Sequence, residues 1–339
     1  MLFRTTLLAA AIAVAVGHPA VARTNVFQTV KLPSVTFQTV DSVKDPTFNQ
    51  LTAIDERGTL GGYYGSGAAG HPNTVFALSV RQPGVLYYLD VPPGIAQRQI
   101  TGISTTIHPP AILSVEVGFV STTNNGTSDT FLPAASVNGT FHTPFGLDAF
   151  SAGTTSAQFL GINPKGTAAV GIWVDGAGTT HGFLVPQQGN VVEQRLTGSG
   201  VKTLQITGVT DNMLMSGFAT DAAGTFGFYK YDGTPGFRVG CDRIPDCGSV
   251  QLLAISNRSV AVGTMIDAAG FGHGFAFDLK TKAYTRIDAP DAGGKPQQTT
   301  LQGVNSTGTA VGFYVDANGN NHGLIVHGVS FTHATAAAN

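Results

Sequence analysis

Apolar residues in this chain come in short runs, without the 3.6-residue recurrence of an amphipathic helix, so the pattern predicts strands. Most runs end in Ile or Val plus a small polar residue. The segment after each such ending recurs as well: Gly-Thr-Ala-Val-Gly-aromatic, a D-x-x-G turn and His-Gly-Phe. The clearest copies run from Gly161-Ile162-Asn163 through Val170-Gly171-Ile172-Trp173 to His181-Gly182-Phe183, from Ala254-Ile255-Ser256 through Val262-Gly263 to His273-Gly274-Phe275, and from Gly303-Val304-Asn305 through Val311-Gly312-Phe313-Tyr314 to His322-Gly323-Leu324. Weaker copies are anchored on Ile54, Ile103 and Val209. The six anchors 54, 103, 162, 209, 255 and 304 span 250 residues in five intervals, a mean period of 50.

Each unit reads as four strands: one ending at the anchor, one through Val-Gly-aromatic, one opening at His-Gly-Phe, and a fourth exemplified by residues 85–89 and 283–287. Asp175-Gly-Ala-Gly178, Asp221-Ala-Ala-Gly224, Asp267-Ala-Ala-Gly270 and Asp316-Ala-Asn-Gly319 supply hairpin turns, Asp turning the chain and Gly taking positive φ. Four strands per period predicts an all-β fold, a six-bladed β-propeller of four-stranded blades. A β-solenoid is the alternative, weakened by a period well above one β-coil. The N-terminal segment Val35-Thr-Phe37-Gln-Thr-Val40-Asp41 matches the fourth-strand phrase but has no first three strands before it. It is therefore expected to pair beside the strand opening at His322 and close the ring, with residues 329–332 competing for that slot.

Composition fits such a fold: of 339 residues, 44 are glycine and 11% charged. The formal charge of −2 leaves no basic surplus for phosphates or acidic lipid, which argues against nucleic acid as partner. Residues 1–22 read as an export leader: Arg4, an apolar run over 7–16, and Ala20-Val21-Ala22 before Arg23. That run is too short to span a bilayer, so the expectation is a secreted or periplasmic monomer with a single domain over 23–333 and a disordered tail over 334–339. The only two cysteines, Cys241 and Cys247, fit neither a redox C-x-x-C nor zinc spacing and predict a local disulfide; two buried free thiols are the alternative.

At the repeated phrase the chain resembles the extracellular HAF repeat family, through His181-Gly-Phe, His273-Gly-Phe and His322-Gly-Leu. The resemblance covers residues 35–326, although the second and fourth copies lack the histidine. It implies export and a propeller, and brings no catalytic residues with it.

Candidate chemistry is sparse. Gly65-Ser-Gly67-Ala-Ala-Gly70 matches G-x-G-x-x-G, but His71-Pro72-Asn73 and a strand come next, where a dinucleotide site needs a helix. P-loop, H-E-x-x-H and G-x-S-x-G motifs are absent, and no cofactor is expected. His71, His181, His273 and His322 invite a metal ring, and Asp175, Asp221, Asp267 and Asp316 a calcium site. Recurrence once per blade favours a structural role for both sets, the imidazole bonding a turn carbonyl. Sequons at Asn125, Asn138, Asn257 and Asn305 carry weight only in a glycosylating source, and the lone Trp173 reads as blade core.

A site on a pseudo-symmetric scaffold must break the pattern. Glu116 does so, standing where the other copies have Leu60, Ala169, Met215, Ala261 and Ala310. Its copy also carries the longest insertion, with His108-Pro109-Pro110 inside. Glu116 and His108 are thus the candidate catalytic pair; the alternative is a blade-edge carboxylate, in water or paired with an arginine, and at a solvated edge its replacement by Ala is expected to be neutral. The leading function is a binding or scaffold module for a glycan or protein partner. A glycoside hydrolase or lyase using Glu116 is second, and it requires another carboxylate, with Asp129 and Asp148 as candidates, at about 5–10 Å. A structural surface-layer component is third.

Overall fold

The computed structural model describes residues 26–108, 111–125, 129–142, 146–187, 189–197, 200–290 and 298–331. The expected leader, the tail over 334–339 and Pro109-Pro110 lie outside them, as does the His108 side chain. Among the described residues the only helical element is a 3-10 turn at Leu147–Ala149, and no helix is long and apolar enough to cross a membrane.

Two N-terminal strands, β1 (Gln28–Thr29) and β2 (Thr36–Val40), precede four separate four-stranded sheets. These comprise β3 (Asn49–Ile54), β4 (Thr59–Tyr64), β5 (Thr74–Ser79) and β6 (Gln82–Tyr88); β7 (Gln97–His108), β8 (Ala111–Ser121), β9 (Leu132–Val137) and β10 (Thr140–His142); β11 (Ser156–Ile162), β12 (Ala168–Val174), β13 (Thr180–Pro186) and β14 (Val192–Gln194); and β15 (Thr203–Val209), β16 (Leu214–Asp221), β17 (Gly224–Tyr231) and β18 (Phe237–Val239). Each is an antiparallel meander, and together they form a β-propeller arrangement.

The expectation of six separate blades needs correction, because only four stand as independent sheets. The last two repeats, β19 (Cys247–Ile255) to β22 (Ala283–Ile287) with β20 (Val260–Asp267) and β21 (Gly272–Asp278) between, and β23 (Gln298–Val304), β24 (Thr309–Val315) and β25 (Asn321–His327), join in one nine-stranded sheet with β1 and β2. A single parallel pairing, Gly272 with Gln298, links them. It depends on glycine, since a Cβ at Gly272 would lie 2.7 Å from Gln298 Cγ.

The repeated phrase has a mechanical basis. In every repeat the first two strands slip register at an equivalent place, between Leu51 and Ala53, Ile100 and Gly102, Phe159 and Gly161, Ile206 and Gly208, Leu252 and Ala254, and Leu301 and Gly303, and the fifth repeat slips again between Cys247 and Ser249. The skipped residue turns outward from its ladder. Where it is threonine, its hydroxyl donates to the neighbouring repeat: Thr101 to Phe159 O at 2.7 Å, Thr207 to Leu252 O at 2.8 Å, and Thr52 to Ile100 O. Opposite the bulge the backbones close so tightly that a Cβ at Gly171 would meet Gln158 O at 1.9 Å. That contact explains why every copy keeps the glycine of Val-Gly-aromatic.

Phe76, Phe183, Phe228 and Phe275, from the third strands, are fully buried between sheets and form the apolar layers that hold neighbours together. All six anchors, Ile54, Ile103, Ile162, Val209, Ile255 and Val304, line one axial channel of only about 50 Å³. At the ring closure β2 pairs antiparallel with β25, Phe37 opposite Val326. Val329 does not take that slot. It is buried in the core beside Leu32.

Candidate functional site

The insertion after Ile103 extends β7 and β8 into one long hairpin, in which Glu116 lies opposite Ile103 and His108 opposite Ala111. Five residues separate Ile103 from His108, about 16 Å at 3.3 Å per residue. The register therefore does not bring the backbones of Glu116 and His108 together.

Glu116 instead meets Arg98, whose guanidinium donates to Glu116 Oε2 at 3.1 Å and to Ser136 Oγ at 2.8 Å and lies 5.4 Å from the Phe141 ring centre. Burial pushes the Glu116 carboxyl up and Arg98 only partly offsets it. Burial likewise pushes Arg98 down, against the pull of Glu116. Both directions show desolvation outweighing attraction, as expected for a buried pair. The cavity beside them holds about 10 Å³, room for about one water and none for a sugar ring. Among the described residues its lining contains no second carboxylate. Asp129 is engaged elsewhere, accepting from Gln97 Nε2, Thr123 Oγ1 and Asn125 N, and Asp148 sits in the 3-10 turn.

The repeated histidines do not bond turn carbonyls as expected. The imidazoles of His181, His273 and His322 each lie between two carboxylates, one from the D-x-x-G turn of the same repeat and one from the fourth strand or its end. His181 contacts Asp175 at 3.2 Å and Glu193 at 3.3 Å; His273 contacts Asp267 at 3.2 Å and Asp288 at 2.9 Å; His322 contacts Asp316 at 3.4 Å and Asp41 at 2.8 Å. Both ring nitrogens of each imidazole thus lie within hydrogen-bonding reach of a carboxylate oxygen. In the fourth repeat, which has Phe226 in place of histidine, Arg238 supplies the basic group, 2.6 Å from Asp221 and stacked on Phe226. In four turns the aspartate thus meets a basic side chain in a clasp, histidine in three and arginine in one. No cluster of His, Cys, Asp or Glu among the described residues has the arrangement of a metal site.

The acids of these turns commit one oxygen to backbone. Asp175 Oδ1 accepts from Ala177 N and Thr179 N, and Asp316 Oδ1 accepts from Asn318 N and Asn320 N. Desolvation opposes it, yet these bonds and His322 bring the Asp316 carboxyl down to about 2. Cys241 and Cys247 form the expected disulfide.

The opposite face carries the turns between first and second strands, and successive turns bond to one another: Ser104 Oγ to Pro164 O, Lys165 N to Asp211 Oδ1, and Asp211 N to Asn257 Oδ1. Where first and last repeats meet, Asn305 Nδ2 donates to Asp55 O, and Ser306 donates to Glu56 from both its backbone nitrogen and its hydroxyl. Beside this junction opens a cleft of about 490 Å³, lined by Arg57, Thr59, Ser79, Arg81, Thr307 and Thr309 among others. Its volume falls within the range of about 300–1,000 Å³ usual for ligand pockets. Sequence reasoning missed Arg57 and Arg81 because turn residues align poorly between repeats, and missed Arg98 because its partner lies across the hairpin.

No protein-family model matches the sequence, and no curated protein does. Solved structures similar in overall shape include a protein of unknown function from Dyadobacter fermentans (TM-score 0.49, 10% identity, 89% of this chain and 97% of that one). A sialidase of Trypanosoma rangeli in complex with sialic acid gives a TM-score of 0.47 at 8% identity, with 92% of this chain and 59% of the sialidase covered. A lectin of Burkholderia pseudomallei gives 0.45 at 11%, with 84% and 82% covered. At such distances none brings an activity or ligand to this chain.

Proposed function

We propose that this protein is an exported β-propeller of the HAF repeat type that acts as a binding module, holding a glycan or protein partner on its turn-bearing face. The open polar cleft at the ring closure carries this reading: among the described residues it is where a pocket of ligand size meets side chains that the fold does not use. The disulfide and the leader-like N-terminus support an oxidising compartment outside the cytoplasm. The glycosidase alternative finds less support, since Glu116 is paired with Arg98 in a cavity too small for a saccharide and has no acid beside it among the described residues. Purified protein lacking residues 1–22 should retain members of a glycan panel without turning them over. Failure to bind any glycan or any protein of the source's surface fraction would count against the proposal.

A further inference from the structure

We infer that the cleft between the first and last repeats takes an acidic saccharide, one bearing carboxylate or sulfate groups; this rests on the binding-module reading and names its ligand class. Val80 N donates to Gly58 O at 2.8 Å, which locks the two turns of the first sheet together. Arg57 and Arg81 leave this locked pair in adjacent positions, each one residue beyond it, and both are exposed on the cleft. Like charges on neighbouring strands of a hairpin repel one another, and an anion between them relieves that repulsion.

The nearest acid cannot serve that purpose. Both oxygens of Glu56 are turned to Ser306, with Oε1 2.9 Å from its hydroxyl and Oε2 3.0 Å from its nitrogen. Asp55, buried beneath, accepts from the backbone nitrogens of Arg57 and Thr59 at 2.9 and 2.7 Å. Among the described residues neither guanidinium has an ion-pair or side-chain hydrogen-bond partner, whereas Arg195, in another cleft, pairs with Glu193. Arginine forks suit the planar oxygens of carboxylate and the tripod of sulfate.

The rest of the lining selects for sugar. Thr59 and Ser79 line it with hydroxyls, those of Thr307 and Thr309 being turned to Asn305 and His327, and among the described residues no aromatic ring lines the cleft to stack a nucleobase or receive an apolar peptide side chain. A hydroxyl-rich chain with periodic negative charge is the ligand this surface complements.

The test is calorimetric titration of the protein lacking residues 1–22 with four probes: oligogalacturonate, dextran sulfate, neutral dextran and inorganic phosphate. Wild type should bind at least one of the two acidic saccharides, more weakly as salt rises, and which one it prefers separates carboxylate from sulfate recognition. Arg57→Gln/Arg81→Gln should weaken that binding at least about tenfold with unchanged melting, whereas Arg195→Gln, outside the cleft, should not. Absence of binding to both acidic probes, binding of phosphate alone, or acidic binding undiminished in the double variant would overturn the inference. Binding of neutral dextran alone would also overturn it, yet would leave the binding-module reading standing.

Discussion

Replacing Glu116 by Ala leaves the Arg98 guanidinium beside a cavity of only about 10 Å³, with Ser136 Oγ as its remaining side-chain partner. Breaking a buried pair from one side costs about 3–5 kcal/mol, because the surviving charge is left without compensation. The Arg98 and Glu116 side chains keep 10% and 17% exposure, so water relieves part of the penalty and the lower end applies. At about 2 °C per kcal/mol for a chain of this size, melting should fall by about 6 °C. Repeat comparison points the other way: alanine at positions 169, 261 and 310 makes the substitution look neutral. The assay is thermal unfolding at neutral pH of Glu116→Ala, Glu116→Gln and the paired replacement Arg98→Met/Glu116→Leu. The paired replacement should recover to within about 1.5 kcal/mol of wild type, since it removes both desolvated charges and keeps the volume. A Glu116→Ala protein that melts like wild type would refute the claim that this carboxylate serves Arg98.

Other predictions concern the ring and its clasps. Removing residues 23–41 takes away β2 and the Asp41 partner of His322, and should lower melting and expose β25 to proteolysis; unchanged melting would reject the closure. For His322, burial lowers the pKa but Asp41 and Asp316 more than restore it, leaving the imidazole above its usual 6.5. The clasp's stabilisation should then be complete below about 6.5 and fade as pH rises through the raised value, while that of Asp316 holds above about 3.8 and fades toward 2. Melting should therefore decline between pH 6 and pH 8.5, with a shallower decline in His322→Gln; equal slopes in the two proteins would contradict it. Reducing the Cys241–Cys247 bond should cost about 2–3 kcal/mol for so short a loop, read as a shift in the denaturant midpoint, and no shift would contradict it.

Much of the strand plan was legible because each repeat imposes the same local constraints. The Ile/Val anchors mark the axis, the glycine of Val-Gly-aromatic marks the bulge, and Asp with Gly marks the second turn, so each phrase reports its own place. Residues 35–41 were readable as a borrowed fourth strand for the same reason. Contacts made between repeats were not legible. Whether the last two repeats share a sheet hangs on one pairing at Gly272, and the second acid of each clasp comes from inexact positions, Glu193 lying two residues earlier than the register of Asp288 and Asp41 would place it. The site candidates suffered most. Glu116 stood out as an odd carboxylate, but Arg98 is 18 residues away, and only the hairpin register and burial show that the pair neutralise one another.

That this propeller binds without catalysing is tested most directly by incubating glycans retained by the protein with wild type and with Glu116→Gln, then resolving the recovered glycans by mass. A binding module returns intact glycans from both proteins and retains them equally with either. Cleaved or eliminated products from wild type that are absent from Glu116→Gln would contradict it.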